Sequence, residues 1–169
     1  MNDPVIIVDY DRIWPQLFEE EKGRIFQSLG HRSLTVEHIG STAVPGLAAK
    51  PIIDILIGVK QLSEAREYIS FLQKIGYEYV PEFEKVIPER LFFRKGMPPH
   101  RTHHIHLVEK GSDFWERHLR FRDILRANPD IAREYELLKK DLALKFSFDR
   151  DAYSNSKTEF IERVLSGIF

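Results

Sequence analysis

Cysteine does not occur in the 169 residues. That excludes disulfides, a thiolate zinc site and a thiol nucleophile. Excess charge of either sign is also missing. The net charge is −1 with a pI near 6.7, so no global electrostatic argument points to nucleic acid or to an anionic membrane. No apolar run approaches the roughly 20 residues of a membrane-spanning helix. The opening Met1-Asn2-Asp3-Pro4 has no basic stretch ahead of an apolar one, so no signal peptide is expected and the cytoplasm is the expected location. Repeats, low-complexity tracts and linkers are absent too. What remains is an ordinary folding composition, 43% hydrophobic and 30% charged, long enough to bury a real core. One domain over residues 1–169 is expected, with an α/β core in 1–110 and C-terminal helices in 111–169 packed on it.

One stretch organises the chain: His38-Ile-Gly-Ser-Thr-Ala-Val-Pro-Gly-Leu-Ala-Ala-Lys-Pro-Ile-Ile-Asp54-Ile. Val36 to Ile39 reads as a strand. Ile52 to Val59 reads as a second, interrupted by Asp54 and Gly58. Between them lies a small-residue loop whose glycines let backbone approach a ligand and whose Ser41 and Thr42 add hydroxyl donors. Successive amides in such a turn can bind an anion. An Asp in an apolar strand must be satisfied or sit at a site, because burying an unpaired carboxylate is costly.

The rest alternates. Val5 to Val8 predicts an edge strand or a tethered arm. A helix follows, with Asp11 as N-cap, Pro15 in the first turn and Gly30 closing it. A second helix is expected from Leu62 to Ile75, ended by Gly76. Strands are expected at Tyr77–Val80, Leu91–Phe93 and Thr102–Val108, with a loop over Glu82–Glu89 and a turn at Gly96-Met97-Pro98-Pro99. On the last strand His104, His106 and Val108 share one face and His103, Ile105 and Leu107 the other. Three helices complete the chain: one capped by Ser112 or Asp113, one with Asn128 as N-cap and Pro129 at its first position, and one from Asp151 to Leu165.

The central stretch, with Tyr10-Asp11-x-x-Trp14-Pro15 and His104-x-His106, resembles the GrpB family, a largely uncharacterised branch of the nucleotidyltransferase superfamily. The likeness runs from Tyr10 to about Phe160. It implies an α/β (α+β) fold: a nucleotidyltransferase-like mixed β-sheet flanked by helices, with a C-terminal helical segment. It also implies that Gly40 and Ser41 grip a triphosphate and that acidic residues on the next strand hold a divalent metal. In the superfamily two carboxylates two residues apart bind Mg²⁺, since alternate strand residues share a face. Only Asp54 is present here. Its missing companion is Leu56 or Ile52, depending on the register. Some members of the family are fused to dephospho-CoA kinase; this chain has no Gly-x-x-x-x-Gly-Lys-Ser/Thr loop and is not a kinase of that kind.

Asp54, His104 and His106 are therefore the expected catalytic and metal-holding residues. His-x-His on a strand is a common ligand spacing, and imidazole suits zinc, manganese or iron better than magnesium; Mg²⁺ or Mn²⁺ is the expected ion, with Zn²⁺ an alternative. Gly40, Ser41, Thr42, Lys50, Arg90 and Arg94 are candidate phosphate contacts. Five Lys or Arg residues against one acid between Lys85 and His106 suit an anionic ligand. Arg122 and Lys157 could cover the phosphate pocket or form ion pairs between helices. His38 could be a ligand or a hydrogen-bonded core histidine. The expected function is transfer of a nucleotidyl group from a nucleoside triphosphate to an acceptor. The alternatives are a nucleotide- or phosphate-binding protein without turnover and a histidine-metal phosphohydrolase. A small phosphate-bearing molecule is the expected partner, with no nucleic-acid or membrane signal.

Overall fold

Side-chain alternation along β2 (Ile53–Val59), buried on both faces except at half-buried Asp54, divides the molecule into two faces. Ile53, Ile55 and Ile57 point one way and Asp54, Leu56 and Gly58 the other. In the computed structural model, which describes residues 4–30 and 32–169, β2 lies in a five-stranded mixed sheet of order β1-β2-β5-β4-β3. The Met1-Asn2-Asp3 opening read above lies outside the described residues. β1 (Thr35–Ile39) pairs antiparallel with β2, and β2 pairs parallel with β5 (His100–Glu109). β5 continues antiparallel to β4 (Arg90–Met97), which pairs with β3 (Tyr77–Tyr79).

The first face carries the main core. The isoleucines of β2 meet Ile105 and Leu107 of β5, Leu91 and Phe93 of β4 and Val36 of β1, all covered by α1 (Trp14–Leu29) and α2 (Tyr68–Lys74). α1 buries Trp14, Phe18, Glu21, Ile25 and Leu29, one stripe at helical spacing. Pro15 stands in its first turn and Gly30 closes it at φ 67°. Asp11 is not the N-cap; its Oδ1 accepts the Ile13 amide at 2.9 Å, one turn ahead of the helix. The N-terminal arm is tethered rather than woven into the sheet, through Val5 N–H to Ser147 O at 2.8 Å and a bridge between Val8 and Ala49.

The second face is covered by the helical tail: α3 (Asp113–Ala127), α4 (Pro129–Lys145), α5 (Arg150–Asn155) and α6 (Thr158–Leu165). Trp115 of α3 lies flat on Gly58, where an added Cβ would meet the indole at 2.5 Å. Leu56, Val108, Ile39 and Phe114 close around it. The long helix expected over Asp151–Leu165 is two, because the chain turns at Ser156-Lys157. The helix expected over Leu62–Ile75 begins instead as a 3₁₀ turn at Glu64–Glu67, and a short 3₁₀ turn, Pro81–Lys85, occupies the expected loop. Asn128 holds the N-cap position of α4 with Pro129 next, as expected, but its side chain makes no cap hydrogen bond; its amide donates back to Ile124 O at 2.8 Å. β4 and β5 are longer than expected because they form one hairpin about the Pro98-Pro99 turn.

Beneath α1, fully buried Glu21 accepts from Lys95 at 2.8 Å and Arg24 at 2.9 Å. Burial raises the carboxyl's pKa, but these two donors outweigh it and hold the group below its ordinary 4.5. A depressed carboxyl contributes stability above its unfolded value and loses it as pH falls. Glu21→Gln is therefore expected to cost roughly 1–3 kcal/mol near neutral pH. In urea unfolding at a series of pH values, the gap from wild type should shrink below pH 4.5.

Candidate functional site

Asp54 opens β2 on the helical-tail face, directly beside His104 of β5, and His106 follows two residues on. The carboxylate Oδ1 lies 3.4 Å from His104 Nδ1 and 3.7 Å from His106 Nε2. Burial pushes the Asp54 pKa up, but the two imidazoles outweigh it and hold the carboxyl well below the usual range. It is an anion throughout the physiological window.

Gly40, at φ +73°, lets the loop reach this carboxylate. A Cβ there would stand 2.6 Å from Asp54 Oδ2. The loop then turns through a 3₁₀ segment, Ser41–Ala43. Its shape is pinned by His38, whose Nε2 lies 3.0 Å from Thr42 Oγ1, while Thr42 donates its one proton to Ile52 O at 3.0 Å. Since the hydroxyl proton is spent, His38 must be the donor and carries its proton on Nε2. Stacked on Phe18 at 4.7 Å, His38 is buried, and burial pushes its pKa down to about 4. His38 is thus the hydrogen-bonded core histidine. Thr42, 2% exposed, shapes the loop and has no proton left for a phosphate.

The tail completes the enclosure by bonding the loop's backbone. Arg122 donates to His38 O, Arg126 to Ala43 O and Lys139 to Ala48 O, and Glu136 accepts the Ala48 amide. A cavity of about 170 Å³ results, lined by Gly40, Ser41, Lys50, Asp54, His104, Lys139 and Lys157, with Ile52, Tyr135 and Tyr153 among its walls. Lys50 and Lys157 stand over the Tyr153 ring at 5.1 and 4.4 Å, and Lys139 over Tyr135 at 5.0 Å. Among the described residues none of the three lysines has a carboxylate within ion-pair distance. Burial and mutual repulsion lower the pKa of Lys139 to about 7 and of Lys157 to about 8, and burial lowers that of Lys50. A second cavity of about 290 Å³ adjoins it across Gly40, Ser41 and Tyr135, walled by α3 and α6.

The structure brings Gly40, Ser41, Thr42, Lys50, Asp54, His104 and Lys157 together. It takes other expected residues elsewhere. Arg94 forms a bidentate pair with Glu78 at 2.7 and 2.8 Å, because β3–β4 register sets the two opposite each other. Arg90 lies 3.3 Å from His106 Nδ1. Arginine only donates, so His106 Nδ1 accepts and its proton is on Nε2, facing Asp54. Burial pushes its pKa to about 4 against the pull of Asp54. His106 thus turns its Nε2 toward the carboxylate, 3.7 Å from Asp54 Oδ1. Arg122 lines the second cavity but is paired with Glu37 and Asp123, both at 2.8 Å.

Among the described residues no group of three or more His, Cys, Asp or Glu side chains is arranged to hold an ion. Leu56 is sealed against Trp115, whereas Ile52 lines the polar cavity. Lys139 was not singled out from sequence; it reads there as one charge among many on an amphipathic helix.

Fold and site define a mixed α/β protein built on a small-residue loop, one sheet carboxylate and a lysine-lined cavity. The chain belongs to the GrpB family, whose model, described as "GrpB protein", matches residues 4–166. It is 42% identical over 158 residues to the UPF0157 protein YqkA of Bacillus subtilis (strain 168), covering 94% of this chain and 45% of that protein. The chain thus spans under half the length of that relative. It is 31% identical to a protein named dephospho-CoA kinase from Mycolicibacterium paratuberculosis, covering 89% of this chain and 42% of that one. The crystal structure of the conserved protein GrpB from Enterococcus faecalis superposes with a TM-score of 0.84 at 41% identity, covering 96% of each chain. No helix among the described residues is long and apolar enough to cross a membrane.

Two outcomes check this geometry. Gly40→Ala must strain a left-handed backbone and displace Asp54, so thermal unfolding should show a loss of roughly 1–3 kcal/mol. In ¹⁵N-resolved imidazole spectra His38 and His106 should stay neutral, protonated on Nε2, down to about pH 5, above their values near 4.

Proposed function

We propose that the chain binds a nucleoside triphosphate in the lysine-lined cavity and transfers its nucleotidyl group to an acceptor. One observation carries this: Lys50, Lys139 and Lys157 converge on the cavity that holds Ser41 and Asp54, with aromatic faces rather than carboxylates beside them. Unpaired buried cations are costly unless an anion completes them. A polyphosphate does so. The divalent cation belongs to that substrate. Mg²⁺ or Mn²⁺ arrives on the phosphates, keeps most of its ligands from phosphate and water, and needs one or two protein carboxylates, which Asp54 offers.

In this reading the acceptor oxygen or nitrogen bonds to the α-phosphorus. The bond from that phosphorus to the β-phosphate oxygen breaks, and pyrophosphate leaves among the lysines, which neutralise its growing charge. His104 takes the acceptor's proton on Nε2, its Nδ1–H facing Asp54. The likeness of the loop and strand to the nucleotidyltransferase superfamily supports the reaction type. A second reading, binding without turnover, draws support from Asp54 having no second carboxylate on its strand.

The test is a thermal shift followed by turnover. A nucleoside triphosphate with Mg²⁺ at 100 times its Kd should raise Tm by roughly 5–10 °C. Lys157→Ala should abolish most of that shift, and Asp54→Asn its Mg²⁺-dependent part. Pyrophosphate release with a pool of candidate acceptors supports transfer. A shift without release over long incubation supports the binding protein. No shift with any nucleotide overturns both.

A further inference from the structure

The second cavity differs from the first in its electrostatics. Its charged side chains are already cancelled. Arg117 pairs with Glu162 and lies 3.9 Å from Asp113, and Arg122 pairs with Glu37 and Asp123. The remaining walls are apolar or aromatic, chiefly Phe121, Leu125, Ile161 and Leu165, with Tyr135 at the boundary. An anion gains nothing there, while an uncharged planar group gains burial and ring contact. One polar atom stands out. His118 Nδ1 lies 2.8 Å from Phe114 O, and a carbonyl only accepts, so the proton is on Nδ1 and Nε2 is a lone-pair acceptor. No protein partner meets that Nε2 among the described residues, and the imidazole lines the cavity.

We infer that the two cavities hold one bipartite ligand, with its polyphosphate among the lysines and its uncharged nucleoside body between α3 and α6. The inference rests on the polyphosphate reading above. Continuity carries it: Gly40, Ser41 and Tyr135 line both cavities, so a molecule gripped by phosphate at Ser41 extends directly into the apolar one. At about 290 Å³ that cavity is near the low end of small-molecule pockets, which suits a base and sugar better than a macromolecular acceptor. The nucleoside donates an N–H or O–H to His118 Nε2 and stacks its ring on the aromatic wall.

Two substitutions fill the apolar cavity without touching the lysines. Ile161→Trp narrows its floor, and Thr158→Trp acts from the exposed rim, where folding is not at stake. Binding of ATP and of inorganic tripolyphosphate, both with Mg²⁺, is measured by calorimetry on wild type and both variants. The expected result is that the fillers weaken ATP by about tenfold or more while tripolyphosphate changes by less than about twofold. Wild type should also bind ATP more tightly than tripolyphosphate. If the fillers leave ATP unchanged, or weaken both ligands equally, the nucleoside does not occupy this cavity and the inference falls, while the polyphosphate reading stands. If wild type binds neither ligand, the polyphosphate reading fails and takes this one with it.

Discussion

The loop between β1 and β2 exists in its observed form because the helical tail satisfies its backbone. Buried amides and carbonyls must be paired. The carbonyls of His38, Ala43 and Ala48 and the amide of Ala48 find their partners on Arg122, Arg126, Lys139 and Glu136, more than eighty residues away in sequence. Val44 and Leu47 meanwhile pack among Leu125, Ile131, Tyr135, Phe160 and Val164. The loop is therefore held by long-range pairing as well as by its own turn hydrogen bonds and those of Thr42. The same contacts decide where the tail sits, so sheet and tail are locked through one irregular segment.

The sheet supplies the complementary constraint. The parallel pairing of β2 with β5 places Asp54 opposite His104, and alternation brings His106 to the same face. Arg90 then fixes the His106 tautomer, which sends a proton toward the carboxylate. A chain of donors thus runs from a guanidinium through an imidazole to Asp54 and keeps that carboxylate ionised in a half-buried place. Leu56 and Gly58 further along β2 are spent on packing under Trp115, which confines the polar chemistry to the start of the strand.

Much of this was legible in the sequence where the information is local. The period-two pattern of β2 and β5, the carboxylate in an apolar strand, the His-x-His face and the small-residue loop all survive as read. What was not legible depends on distant partners. Arg94 looks like a phosphate contact until β3 sets Glu78 across from it. Thr42 looks like a donor until its proton is seen at Ile52 O. Lys139 looks like solvated helix charge, yet it is 2% exposed at the back of the cavity. Lys157 stands over the Tyr153 ring where α5 gives way to α6, a four-residue spacing that a helix also brings together, but the cavity it lines needs residues far away in the chain.

The crowding of Lys50, Lys139 and Lys157 carries a thermodynamic consequence. Lys139, near 7, is only partly protonated at neutral pH and Lys157, near 8, mostly so, because burial disfavours each ammonium and neighbouring lysines add to the effect. An anion entering among them reverses that balance and raises both values. Occupancy is then linked to proton uptake. An anion held there as proposed would bind less tightly as the medium turns alkaline, well before an ordinary surface lysine would begin to titrate.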